Sequence, residues 1–244
     1  MHACDKGLVL RAVPYRDADM MLTILTQEQG KISAAARGVR RKSSRMSAAV
    51  QTFAYSEFTF FETQGRYTVN EAEAIELFFN LRGDISKLAL ASYFGELLEL
   101  ASDSDMINPE ILRLGLNTFF ALSERGYDIR ALKSAFELRI AAYSGYAPVM
   151  GKACNVCKKS PINPCILLSD GSVCCDDCTC QPSVRVDGGV IDAIEHILNC
   201  DLKRIFSFNL GDESLDKLSR FSEAYICAQF DRKFKTLDFY KSIS

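Results

Sequence analysis

Leu8-Val9-Leu10-Arg11-Ala12-Val13-Pro14-Tyr15-Arg16-Asp17 begins with an apolar run and ends in a turn signal. An apolar run of strand length closed by Pro and Asp marks a short β-strand entering a turn. The same pattern recurs outward along the chain at Met20 to Thr26, Lys31 to Arg37, Phe53 to Phe61 and Tyr67 to Ile75. Glu28-Gln29-Gly30 supplies a further turn. Five short strands ending by about Glu76 predict a small barrel, and the OB-fold is the commonest five-stranded candidate.

Beyond Arg82-Gly83 the apolar period becomes helical. Leu90, Phe94, Leu97, Leu98 and Ala101 share one face behind an N-cap at Asp84. Asn108-Pro109 opens a second helix that should stop near Gly126. Asp128 caps a third, with Leu132, Phe136, Ile140 and Tyr143 on one face, before Gly145 and Pro148. Helical spacing returns at Val190, Ile191, Ile194, Ile197 and Leu198, and again from about Ser214 to Phe234. The segment between, with Pro161, Pro164 and Gly171, is expected to be irregular. The expected architecture is α+β and multidomain: a five-stranded OB-fold barrel over residues 1–80, then an all-α helical domain over 81–149 and 183–244. A Cys4 zinc finger over 150–182 is inserted into the helical domain.

Seven of the ten cysteines fall between Cys154 and Cys180. Cys154-x-x-Cys157 and Cys175-x-x-Cys178 are two hooks separated by 17 residues. Tetrahedral Zn²⁺ takes four thiolates from two such turns, which makes these four cysteines the candidate ligands of one structural Zn²⁺. Cys174, beside Cys175, could replace it, and Cys180 also crowds the second hook; Cys175 is preferred because it completes the two-residue spacing. Buried or redox-active cysteines are the competing explanation. Four thiolates leave no open coordination position for chemistry.

The 244 residues are 48% hydrophobic and 25% charged, which excludes disorder and collagen-like structure. Their net charge of -2 hides an asymmetry. Residues 1–50 hold nine Lys or Arg against four acids, and six of those cations lie from Lys31 to Arg45. Lys31, Arg37, Arg40, Arg41, Lys42 and Arg45, near strands carrying Tyr55, Phe58, Phe60 and Tyr67, are candidates for a groove that binds single-stranded nucleic acid. Cations would neutralise phosphates and exposed rings would stack on bases. A solvated basic loop beside core aromatics is the plainer alternative. The longest uncharged stretch, Ile140 to Gly151, has 12 residues, too few to span a membrane. Without a signal-like start, a cytoplasmic protein is expected.

No enzyme is expected. His2 and His196 fit no metal-hydrolase or deaminase motif, and His196 reads as an ordinary helix residue. Gly145-Tyr146-Ala147-Pro148-Val149-Met150-Gly151-Lys152-Ala153 fails as a phosphate loop, having the wrong glycine spacing, an internal Pro and Ala in place of Ser or Thr. Asp170, Asp176 and Asp177 are the one group suggestive of a Mg²⁺-dependent nuclease, and they read as solvated. An RNA-binding zinc protein is a further alternative.

Several stretches resemble the bacterial RecO recombination-mediator family. Lys6-Gly7-Leu8-Val9-Leu10 with Tyr15-Arg16-Asp17-Ala18-Asp19 is similar to its opening strand and turn. Leu25-Thr26-Gln27-Glu28-Gln29-Gly30-Lys31 resembles its Leu-Thr-x-x-x-Gly-Lys signature, and Arg37-Gly38-Val39-Arg40-Arg41-Lys42-Ser43-Ser44-Arg45 its basic loop. Gly145-Tyr146-Ala147-Pro148 ahead of Cys154-x-x-Cys157, and Gly171 ahead of Cys175-x-x-Cys178, resemble its zinc segment. Arg232-Lys233-Phe234-Lys235-Thr236-Leu237-Asp238-Phe239 resembles its basic tail. The resemblance implies an OB-fold, a helical domain and a structural zinc finger that some members lack. It implies binding of single- and double-stranded DNA and annealing of strands coated by single-strand binding protein. It also implies work with RecR, in some species RecF, to load RecA, in the cytoplasm at the nucleoid. The acidic, aromatic-ended tail of single-strand binding protein would be held by the helical domain, with Arg113, Arg130, Lys133 and Arg139 as candidate rim cations. The basic loop would hold the DNA backbone without reading sequence.

Overall fold

A computed structural model describes residues 2–102, 107–178 and 181–243. Cys180 lies outside the described residues. The chain divides into two compact units, Met1–Glu124 with Thr236–Ser244, and Arg125–Lys235. The first unit joins the barrel to the helices that follow it as far as Glu124.

The first unit is built on β1 (His2–Tyr15), β2 (Asp19–Thr26), β3 (Lys31–Ala36), β4 (Tyr55–Thr63) and β5 (Arg66–Glu76), a closed barrel in the order β1-β2-β3-β5-β4. This is the expected OB-like barrel. Alternation explains the strands: in β4, Ser56, Phe58 and Phe60 are buried while Glu57 and Phe61 face solvent. Val9, Leu22, Ile24, Phe58, Phe60 and Val69 fill the interior. β3 and β5 pair in parallel over Ala34–Ala36 and Tyr67–Val69, which closes the barrel.

β4 starts two residues later than the sequence pattern suggests. Phe53 takes a left-handed conformation, φ 68°, and leaves the strand to pack edge-on against Phe119 at 5.1 Å between centroids. Its ring also fills the space over Gly95, where an added Cβ would come within 3.0 Å of it. Around the barrel lie α1 (Phe79–Arg82), α2 (Ile85–Ala101) and α3 (Pro109–Glu124). The caps are as the sequence suggests. Asp84 accepts from the backbone N–H groups of Ser86 and Lys87, and Asn108 from that of Glu110.

In the second unit α4 (Ile129–Tyr143), capped by Asp128, is the central helix, with Leu132 through Ala141 buried in succession. The cysteine segment is more ordered than expected. β6 (Pro164–Leu167), β7 (Val173–Cys175) and β8 (Ser183–Arg185) form a small sheet in the order β7-β6-β8. Gly171 turns the β6–β7 hairpin at φ +75°, and a Cβ there would sit 2.4 Å from that of Pro148. That close approach joins the Gly-Tyr-Ala-Pro stretch to the second cysteine hook. α5 (Gly188–Asn199) and α6 (Asp212–Gln229) complete the unit. The last expected helix, α6, stops at Gln229 rather than near Phe234: Asp231 turns left-handed at φ 47°, and a further helix, α7 (Lys235–Ile243), follows. Leu237 is buried and the Thr236 hydroxyl donates to Glu96 Oε2 at 2.5 Å, so residues from Thr236 belong to the first unit. No helix among the described residues is long and apolar enough to cross a membrane.

Candidate nucleic-acid interface and metal centre

The turn between β1 and β2 and the Gln64-Gly65 turn between β4 and β5 flank the same outer face of the barrel. Both use left-handed residues, Arg16 at φ 57°, Gln64 at 51° and Gly65 at 73°. They place Tyr15, Arg16, Arg66 and Tyr67 around Met21, Ser33, Ala35 and Arg37, lining a cleft of about 420 Å³. The Arg16 guanidinium lies over the Tyr15 ring, 5.2 Å from its centroid, and Tyr15 is 43% exposed. Tyr67 is half-buried and meets Phe60 edge-on. Strands 2 and 3 with these two turns form the face on which OB-folds bind oligonucleotides.

The basic loop is pinned beside this cleft. Gly38, at φ +66°, donates its N–H to Asp19 Oδ1 at 2.8 Å, and the Arg40 N–H donates to Ala18 O at 3.0 Å. Val39, Ala49 and Val50 anchor the loop in the core. Arg37, Arg40, Arg41, Lys42 and Arg45 all face solvent. Arg40 also donates to the carbonyls of Arg16 and Asp17, tying the loop to the β1–β2 turn. Lys31 stands apart: its Nζ donates to Glu99 O at 2.7 Å, near the end of α2. Arg16, Arg66 and Tyr15 were absent from the sequence-derived set. Their signal was available, since each lies in or beside a turn, but only barrel closure brings the two turns together.

The Sγ atoms of Cys154, Cys157, Cys175 and Cys178 all lie within 4.8 Å of one another, and those of Cys157 and Cys175 are 3.8 Å apart. A tetrahedron with metal–sulfur arms of about 2.3 Å has edges of about 3.8 Å, so the donor set fits one tetrahedral ion. The backbone N–H groups of Cys157 and Cys175 point at the Cys154 sulfur and hold its thiol below the ordinary cysteine range, whereas the hydrogen bond with Cys175 and burial push the Cys178 thiol up. Cys174 and Cys175 are successive residues of β7 and therefore face opposite sides. Cys175 joins the cluster, while Cys174 is buried across the sheet from Cys165.

Two of the three nearby acids are used structurally, and Asp177 is exposed. Asp170 accepts from the Ser172 N–H in the hairpin turn, and Asp176 pairs with Arg185 and accepts from Cys165. Among the described residues, the four cysteines are the one group able to hold a metal. His196 contacts Arg204 O through Nε2 at 2.9 Å, as an ordinary helix residue would.

The family model described as Recombination protein O N terminal matches residues 1–78, and the one described as Recombination protein O C terminal matches residues 82–238. The chain belongs to the RecO family. It is 31% identical over 242 residues to the DNA repair protein RecO of Alkaliphilus metalliredigens, covering 98% of each chain. Identity to the DNA repair protein RecO of Acetivibrio thermocellus is 29% over 241 residues, 97% of this chain and 95% of that one. The DNA repair protein RecO of Listeria monocytogenes is 29% identical over 227 residues, 92% of this chain and 88% of its own. The chain is therefore a RecO-family DNA repair protein, with the barrel, the helical domain and a metal-competent cysteine cluster that its sequence led us to expect.

The four candidate rim cations are placed very differently from one another. Arg113 is exposed on α3 in the first unit and pairs with Glu110. Arg130, in the second unit, is engaged by Asp128, Asp212 and Asp216, each at 2.7–2.8 Å. Lys133 and Arg139 are buried, at 4% and 7% exposure, and stand on no rim. Lys133 pairs with Glu137 at 2.9 Å and Glu223 at 3.1 Å. Burial pushes its pKa down, but the two carboxylates reverse that and raise it overall. Arg139 donates to the carbonyls of Ile197 and Cys200, fastening α4 to the end of α5. Because α4 is covered on several sides, its cations answer carboxylates and carbonyls from distant helices.

Proposed function

We propose that this RecO-family protein is a DNA-binding recombination mediator without catalytic turnover. Its substrates are single- and double-stranded DNA, and it anneals complementary strands coated by single-strand binding protein. With RecR, and RecF where present, it helps to load RecA, working in the cytoplasm at the nucleoid. The observation that carries this reading is the barrel cleft in which Arg16, Arg37 and Arg66 surround the rings of Tyr15 and Tyr67. Guanidinium groups neutralise phosphates without reading bases, and the rings offer stacking surfaces. Arg40, Arg41, Lys42 and Arg45 extend the positive field beyond the cleft, and Lys31 holds the start of β3 in place.

The four-cysteine cluster holds one structural Zn²⁺, which fixes the small sheet and leaves no coordination position for substrate. For the tail of single-strand binding protein, Arg130 borders an aromatic recess with Tyr127, Phe206 and Phe208. An acidic tail bound there would compete with Asp128, Asp212 and Asp216 for the guanidinium.

Fluorescence anisotropy against salt tests the DNA reading. If four to six phosphates are contacted on a single strand, log affinity falls against log salt with a slope of about −3 to −4. The triple variant R16A/R37A/R66A should weaken binding and flatten that slope with the fold intact. A wild-type slope near zero would refute the phosphate grip. Failure to anneal strands coated with cognate single-strand binding protein would refute the mediator role.

A further inference from the structure

Arg37 borders a second recess on the other side of the basic loop. This groove, about 800 Å³, lies between the loop and the outer face of β4 and β5. The volume is within the range of small-ligand sites. Arg37, Arg41 and Arg45 line it from the loop; Glu57, Glu71 and Glu73 line it from the sheet. No ion pair among the described residues joins the two walls: Glu57 reaches Lys6 at 3.9 Å, and no ion pair involves Glu71 or Glu73. Glu57 and Glu73 are direct cross-strand partners, and Glu71 lies two residues along on the same face. Like charges placed directly opposite destabilise a sheet, so pairing does not explain this acid wall. β3 pairs with β5 only as far as Val69, while β4 pairs with it to Glu76, so the edge of β5 past that point lines the groove.

A chain of phosphates alone would be repelled by the carboxylates, and a basic peptide by the arginines. Unpaired DNA satisfies both walls at once, with phosphates toward the arginines and base edges toward the glutamates. An ionised carboxylate only accepts hydrogen bonds. Cytosine offers it the N4 amine, whereas the single N3–H donor of thymine sits between two carbonyl oxygens that repel it. We propose that this groove binds single-stranded DNA with its bases unpaired and favours amine-bearing bases over thymine. The proposal rests on the DNA-binding reading above and adds a bias of base composition to it.

The test compares oligo-dC with oligo-dT of equal length, at equal salt and mildly alkaline pH, by fluorescence anisotropy on the full chain. Wild type should bind oligo-dC about fivefold more tightly. In E71Q/E73Q, whose amides donate as well as accept, affinity for oligo-dT should rise and the ratio should fall to about one. Arg41→Ala should weaken both oligonucleotides while keeping the ratio, and circular dichroism checks that each variant folds. Equal wild-type affinities overturn the proposal while leaving DNA binding intact. So does an unchanged ratio in E71Q/E73Q, the result expected if an extended peptide lies along β5 instead. Absence of binding to either oligonucleotide removes the DNA reading itself and this groove with it.

Discussion

Replacing Lys133 by Ala separates a buried structural cation from a surface one. The Lys133 side chain is 5% exposed, with Nζ 2.9 Å from Glu137 and 3.1 Å from Glu223. Glu137 is fully buried, and its Oε2 accepts from the Ser222 hydroxyl at 2.6 Å. Removing the ammonium leaves two carboxylates close together with no cation between them. Breaking a buried pair in this way costs about 3–5 kcal/mol. At about 4 °C per kcal/mol, for a unit of the order of 100 residues, the melting temperature should fall by about 12–20 °C. Thermal denaturation followed by circular dichroism measures it. The double variant K133M/E137Q, which removes one charge of each sign, should recover much of the loss. Binding of an acidic, aromatic-ended peptide to folded Lys133→Ala, measured well below its melting temperature, should be unchanged. A variant that melts within about 2 °C of the parent but loses the peptide would refute the argument, since a change that small corresponds to well under 1 kcal/mol.

Two further outcomes follow from the second unit. Cys154→Ser should lose the bound metal and the order of the small sheet, whereas Cys165→Ser should retain the metal; metal analysis of both purified variants decides, and equal retention would overturn the ligand set. Asp187 caps α5: burial pushes its carboxyl up, but the Ser214 hydroxyl, the Val190 N–H and Lys217 outweigh that and hold it lower overall. A depressed folded pKa contributes stability that is present above about pH 3.9 and lost as pH falls through the folded value. The urea midpoint of Asp187→Asn should therefore lie below that of wild type near neutrality and converge with it in acid. A gap constant with pH would show that Asp187 acts only as a cap.

The strands, the helix caps and the cysteine hooks show what local pattern can reveal. The five strands were legible because each alternates or runs apolar and each stops at a turn residue. The caps at Asp84, Asn108 and Asp128 were legible because a cap acts within three residues of itself. The cysteine hooks were equally plain, and Cys175 follows from its two-residue spacing to Cys178. Phe53 was misplaced because its left-handed turn is stabilised by Phe119 and the gap over Gly95, both far along the chain. The sheet within the cysteine segment was missed because strands of three and four residues carry too little alternation to register.

The sequence by itself determined the barrel, the succession of helices, the pair of cysteine hooks and the basic loop, all of which depend on residues close together in the chain. Tertiary structure decided which charges are available for function. Barrel closure gathered Arg16, Arg37 and Arg66 around two tyrosines, and it set Glu57, Glu71 and Glu73 opposite the loop arginines. In the helical unit, packing around α4 took Lys133 and Arg139 out of solvent and paired them with Glu223, Ile197 and Cys200 from other elements. A lone positive charge looks the same in sequence whether it faces water or a buried carboxylate. The cost of removing it from water is met only by partners that the fold brings from elsewhere in the chain.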